Sequence, residues 1–224
     1  MTIRWKNIVV VALSLALTGA AVVCSPLLRQ SSHVSPALSS PVNRHVCPSK
    51  SDGEYYFPNG ALNQADERSD TFIRGWYSSQ LTAMAEPSLS CGLRPGQEYR
   101  FTWLRTFHHP VVVRVSQNQG RVSLTAIELN GAGGYEPGKV LRRKEATLSN
   151  AQFRDLQAAL AGASFWSIPT TEENSGLDGA EWIVEASDNG RYHVVVRWSP
   201  NDGPIHALGM QFLKIANWQF KDVY

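Results

Sequence analysis

The sequence predicts an α+β fold: one antiparallel sheet of about six strands with helices packed on one face, in the order α-ββββ-α-ββ-α. Three observations carry that reading. The apolar residues recur with a period of two over residues 99–147 and again over 180–198. Most of these runs are separated by short turns, which implies antiparallel pairing. Helical spacing occurs before, between and after the two strand blocks.

Each element follows from its own residues. Over 69–86, Phe72, Ile73, Trp76, Tyr77, Leu81 and Met84 share a helical face; Ser69 or Asp70 can cap the start, and Pro87 ends it. Tyr99, Phe101, Trp103 and Phe107 then alternate with Arg100, Thr102, Leu104 and Thr106, a strand with one aromatic face. His108-His109-Pro110 breaks it. Strands at 111–116 and 122–129 flank the turn Gln117-Asn118-Gln119-Gly120. A glycine-rich loop at 130–138 leads to a charged, edge-like strand at 139–147. Ser149-Asn150-Ala151-Gln152 is a capping box, and Phe153, Leu156, Leu160 and Ala163 follow at helical spacing. Phe165 to Pro169 forms an apolar peg, and 170–178 a polar loop. Strands at 180–187 and 192–198 flank Asn189-Gly190, a hairpin signal. Asp202-Gly203-Pro204 opens a last helix with Ile205, Leu208, Phe212 and Ile215 on one face.

The start of the chain is a different kind of sequence. Arg4 and Lys6 precede an apolar run over residues 8–23, short for a membrane span and suited to an export signal. Gly19 and Ala21 fit the small residues before a cleavage site. Cys24 admits lipid attachment, which Val23 disfavours, and an uncleaved inner-membrane anchor is the third reading. All three place residues 25–224 outside the cytoplasmic membrane, periplasmic or secreted. Residues 25–46 are rich in Ser and Pro and read as a linker, so the expected domain is 47–224.

Charge and cysteine usage narrow the classes. Without Arg4 and Lys6 the chain has 19 basic and 19 acidic residues and no basic stripe, which argues against a nucleic-acid partner. Contact with a membrane is expected only through the N-terminal segment. In an oxidising compartment Cys47 and Cys91 are expected to form a disulfide. They lack metal-site spacing, and no cofactor motif is present.

The segments Phe101-Thr-Trp-Leu-Arg-Thr-Phe-His-His-Pro110, Leu177-Asp-Gly-Ala-Glu-Trp182 and Arg191-Tyr-His-Val-Val-Val-Arg-Trp-Ser-Pro200 resemble those of a family of exported proteobacterial proteins of unknown function. The resemblance spans roughly residues 95–216. It implies an export-linked α+β domain and carries over no catalytic residues.

Few side-chain patterns point to chemistry. His193, with Asp178 and Glu181, offers an imidazole and two carboxylates for metal binding or acid–base work, and His108 is a further candidate. Strand alternation puts Glu181 and Glu185 on one face. A cross-strand ladder from them to His193 and Arg197 is the structural reading of the same residues. Gly131-Ala132-Gly133-Gly134 lacks the lysine and following helix of a phosphate loop and reads as a flexible hairpin loop. Tyr135 and Glu136 at its tip can touch a partner. Ser199-Pro200 reads as a strand exit, not a nucleophile, since no Gly-x-Ser-x-Gly elbow exists. Trp103 belongs to the core if helices cover the aromatic row, and to a binding groove if they do not. The function expected is a non-enzymatic envelope module binding a protein or peptide. An exported hydrolase or metal-dependent enzyme, and a structural role near the membrane, are the alternatives.

Overall fold

The structure is a computed structural model; it describes Cys47 and residues 55–92, 95–172 and 176–224. The expected leader and Ser/Pro linker lie outside the described residues. Among those described, no helix is long and apolar enough to cross a membrane.

Six strands form one antiparallel sheet: β1 (Gln97–Arg105), β2 (Val111–Asn118), β3 (Arg121–Leu129), β4 (Val140–Leu148), β5 (Ala180–Asp188) and β6 (Arg191–Trp198). Their spatial order is β4-β3-β2-β1-β5-β6, so β1 sits inside the sheet and joins the two strand blocks. Three helices accompany them: α1 (Glu67–Ala83), α2 (Asn150–Gly162) and α3 (Gly203–Ala216). The α+β class and the element order are those the sequence predicts.

The local signals work as chemistry requires. Ser149 accepts from the Gln152 backbone N–H at the start of α2, while the Gln152 side chain returns to the Ser149 backbone, completing the capping box. Asn189 and Gly190 take positive φ of 47° and 89°, the conformation a two-residue hairpin turn requires. Both sheet edges are protected against pairing with another chain. β4 carries Arg142, Arg143, Lys144 and Glu145. Along β6, the Val196 N–H donates to the Thr170 carbonyl at 2.7 Å, so the segment after Phe165–Ser167 covers that edge.

The helices divide between the two faces of the sheet, which corrects the expectation of one helical face. Tyr99, Phe101 and Trp103 of β1, with Trp182 and Val184 of β5, meet Leu156 and Leu160 of α2 and Leu208 and Phe212 of α3. Leu104, Val112, Ile127 and Ile183 point the other way, onto Tyr77 and Leu81 of α1 and its C-cap Met84. The physical reason is visible in β2, where Val111, Val112 and Val113 are all buried. A strand apolar on consecutive positions needs cover on both faces. Trp103 is therefore core, fully buried, and not part of a binding surface. Its indole N–H and that of Trp182 both donate to the main-chain oxygen of Tyr224, at 3.0 and 2.8 Å.

The layer under α1 is held partly by charge. Arg100 is fully buried and grips Glu185 with two nitrogens, Nε to Oε2 at 2.7 Å and Nη2 to Oε1 at 2.8 Å. Its Nη1 donates to the Pro87 carbonyl at 2.6 Å, tying in the segment that leaves α1. Burial disfavours the guanidinium charge, but Glu185 and then Glu86 more than offset this. Arg114 joins through Glu86 at 2.7 Å. The same segment carries Cys91, which is disulfide-bonded to Cys47 as the sequence predicts.

α1 itself starts earlier than its sequence pattern suggests. Asp66, not Ser69 or Asp70, is the N-cap. Asp70 has another task. Its carboxylate accepts N–H bonds from Gly60, Leu62 and Asn63, and pairs with Arg74 at 2.6 Å. Burial alone would raise its pKa, but these bonds outweigh it and hold it below the ordinary value. The loop leading into α1 is thereby fixed on the helix.

Candidate functional site

The most distinctive surface lies on the α1 face, where β1 and β6 end and β5 begins. Glu181 of β5 pairs with Trp198 of β6 and with Leu104 of β1, so these three side chains share that face. α1 forms one bank of a trough here, presenting Phe72, Ile73, Trp76 and Tyr77. Trp198 and Leu177 belong to the opposite bank. Glu181 and Trp198 line two adjoining cavities, each of about 440 Å³, and so sit where the two meet.

Glycines place the walls. The Gly133 amide donates to the carbonyls of Arg105 and His108, at 2.9 and 3.0 Å, and its own carbonyl accepts from the Trp76 indole at 2.7 Å. A Cβ on Gly133 would lie 2.6 Å from the Arg105 nitrogen. The 130–138 loop joins antiparallel β3 and β4 as the hairpin connection the sequence predicts, but it is packed down on β1 and α1 rather than flexible. Gln80 donates to the Tyr135 carbonyl at 2.9 Å and fixes that residue at the rim. On the far bank, a Cβ on Gly176 would lie 2.5 Å from the Trp198 indole nitrogen. Glycine lets the backbone rest on that ring and holds Leu177 out over the trough.

The rim is unusually apolar for surface. Phe72, Tyr135 and Leu177 are 72%, 62% and 94% exposed, and all three line the cavity beside Glu181. Phe107, 58% exposed, stacks on Tyr135 at 6.1 Å between ring centroids.

Glu181 is the titratable group at the junction of the two cavities. The Tyr77 hydroxyl donates to it, and no basic side chain among the described residues forms an ion pair with it. Burial pushes the Glu181 carboxyl up to about 7, against the smaller opposing effect of the Tyr77 bond. Burial, together with the nearby Glu181 charge, raises the Tyr77 phenol well above its ordinary value.

No protein-family model matches the chain, and no curated protein is significantly similar to it.

The other residues singled out in the sequence do not gather at Glu181. His193 pairs with Ala186, so it faces α2 and α3, on the side of the sheet opposite Glu181 and Glu185. It packs edge-on against Phe165 at 5.2 Å, and its Nε2 lies 2.9 Å from the Ile168 carbonyl. The ladder from Glu181 and Glu185 to His193 and Arg197 is therefore not formed. Arg197 pairs with Glu172 at 2.7 Å instead. Asp178 is exposed in the loop before β5, and His108 is exposed beside the Tyr224 hydroxyl. Glu136 is exposed at the tip of its loop. Among the described residues, no three His, Cys, Asp or Glu side chains could hold a metal ion.

A larger cavity of about 640 Å³ lies between β6 and the start of α3. Its buried cation, Arg197, is occupied by Glu172 and by the carbonyls of Pro169, Thr170 and Val196. No exposed aromatic ring borders it. Of the candidates drawn from the sequence, Glu181 and Tyr135 meet at the trough. Phe72, Trp76, Leu177 and Trp198 were not singled out there as site residues, because helical or strand period assigns the aromatic ones to packing faces.

Proposed function

We propose that this chain is an exported envelope module that binds an apolar segment of a partner protein or peptide in the trough between α1 and the β5–β6 end of the sheet. One observation carries the reading: Phe72, Tyr135 and Leu177, all largely exposed, converge on a single cavity floored by Glu181. Exposed apolar side chains scattered over a surface need no explanation, whereas a contiguous group marks an interaction site. The walls are rigidly held by the Gly133 and Gln80 hydrogen bonds, which reduces the ordering cost of binding. Export is supported by the leader-like residues 1–24 and by the Cys47–Cys91 disulfide, a bond typical of oxidising compartments.

The test is a peptide library displayed against the purified, oxidised protein, with counter-selection on a Tyr135→Ser/Leu177→Asp double variant. The expected result is a set of peptides that shift the indole N–H resonances of Trp76 and Trp198 and fail to bind the variant. Peptides that bind both proteins equally, or none at all, would refute the trough as a binding site.

A further inference from the structure

The trough carries a charge pattern that specifies more than apolar character. We infer that it seats a basic side chain, a lysine or arginine of the bound polypeptide, against Glu181 and between aromatic rings. This rests on the trough being a binding site at all.

Three features support it. Among the described residues, the two adjoining cavities are lined by two carboxylates, Glu172 and Glu181, and by no lysine, arginine or histidine. Glu172 is already paired with Arg197, which leaves Glu181 as the carboxylate without a cation. Trp76, Trp198 and Tyr135 border the cavity next to it, and aromatic faces attract ammonium and guanidinium groups, more strongly when water is excluded. Elsewhere this protein satisfies arginines in the same manner. Arg142 lies over Trp218 at 4.0 Å and Arg191 over Trp166 at 4.2 Å. The Glu181 site sets a carboxylate beside aromatic rings, as Glu128 and Trp218 do around Arg142.

The occupant is a polypeptide rather than a free amine because the space is elongated. Cavities of about 440 Å³ extend from Glu181 both toward Leu62 and Ser69 and toward Tyr135 and Leu177. A small cation would fill only the middle. An extended chain would lay apolar residues on either side of the buried charge.

The experiment repeats the display selection on the wild-type protein and on Glu181→Gln, whose fold is checked by its thermal transition. Wild-type peptides are expected to carry Lys or Arg at one fixed position between apolar residues. Peptides selected on Glu181→Gln are expected to lack it. Replacing that lysine by norleucine should weaken binding to the wild type about tenfold or more and leave binding to Glu181→Gln nearly unchanged. Among the described residues, the titratable groups facing Glu181 are Tyr77 from α1 and Glu172 from the loop before β5. Raising pH from 5.5 to 8.5 should accordingly strengthen binding of the lysine peptide, by about tenfold or more, and not that of the norleucine peptide. Trough-binding peptides with no basic preference would overturn this inference and leave the binding site standing. No trough-binding peptide would overturn both. Butylammonium competing as well as the lysine peptide would overturn the polypeptide assignment.

Discussion

At the scale of single residues, Glu181 is held in a place that disfavours its charge. Its carboxyl ordinarily titrates at 4.5 and here at about 7. Between those values the folded protein keeps a proton that the unfolded chain has released. Stability therefore falls as pH rises through that window and is flat above it. Glu181→Gln keeps an acceptor for the Tyr77 hydroxyl and removes the titration. It should raise stability at pH 8 by about 1–3 kcal/mol and have little effect at pH 4. Urea denaturation at both pH values measures this, and an equal effect at both would contradict it. His193 teaches the complementary lesson. The two-residue Asn189-Gly190 turn pairs Asp188 with Arg191, so Ala186, not Glu185, opposes His193. That register was legible from the turn alone. A shift of one position moves a side chain to the other face of the sheet.

At the scale of elements, most of the fold was legible because most of it is specified locally. Alternation gave the strands, and the capping box gave the start of α2. What local pattern does not encode is which sheet face a helix covers. The α1 stripe buries Tyr77 and Leu81 but leaves Phe72 largely exposed, and it also buries Asp70, Arg74 and Gln80. Polar residues on the inner side blur the periodicity that a sequence reading relies on. The 130–138 loop fails for a different reason. Its glycines suggest freedom, while their role is close approach. Gly133→Ala should cost about 1–3 kcal/mol and perturb the Trp76 environment, since the loop must lift from Arg105. Near-UV circular dichroism with a urea titration tests both parts. A variant of wild-type stability would show that the loop has room to spare.

At the scale of the molecule, the two layers against the sheet differ in the size of their apolar clusters. The α2–α3 side has the larger apolar cluster, from Tyr99 to Ala216, and also holds the buried charges Arg105, Glu128 and Arg197. The α1 side combines a smaller apolar cluster with the Arg100–Glu185 pair and a disulfide. Buried ion pairs contribute little net stability compared with apolar packing, but breaking one is costly. The α1 layer should therefore open at lower free energy than the α2–α3 layer. Reducing Cys47–Cys91 should widen the gap, lowering stability by about 2–4 kcal/mol. Native-state hydrogen exchange, resolved by residue in oxidised and reduced protein, is the measurement. Uniform protection in α1 and α3 under reduction would overturn the picture.

The placement of the tryptophans has a practical consequence. Trp103 and Trp182 are sealed in the core, whereas Trp76 and Trp198 line the trough beside an ionisable carboxyl. The two buried rings should emit at shorter wavelength and ignore aqueous quenchers. The two trough rings should respond to quencher, to protonation of Glu181 and to any occupant. The trough rings thus form an optical gauge of the site with no dye to attach, read as the difference between the protein and its Trp76→Phe and Trp198→Phe variants, since Trp5, Trp166 and Trp218 emit as well.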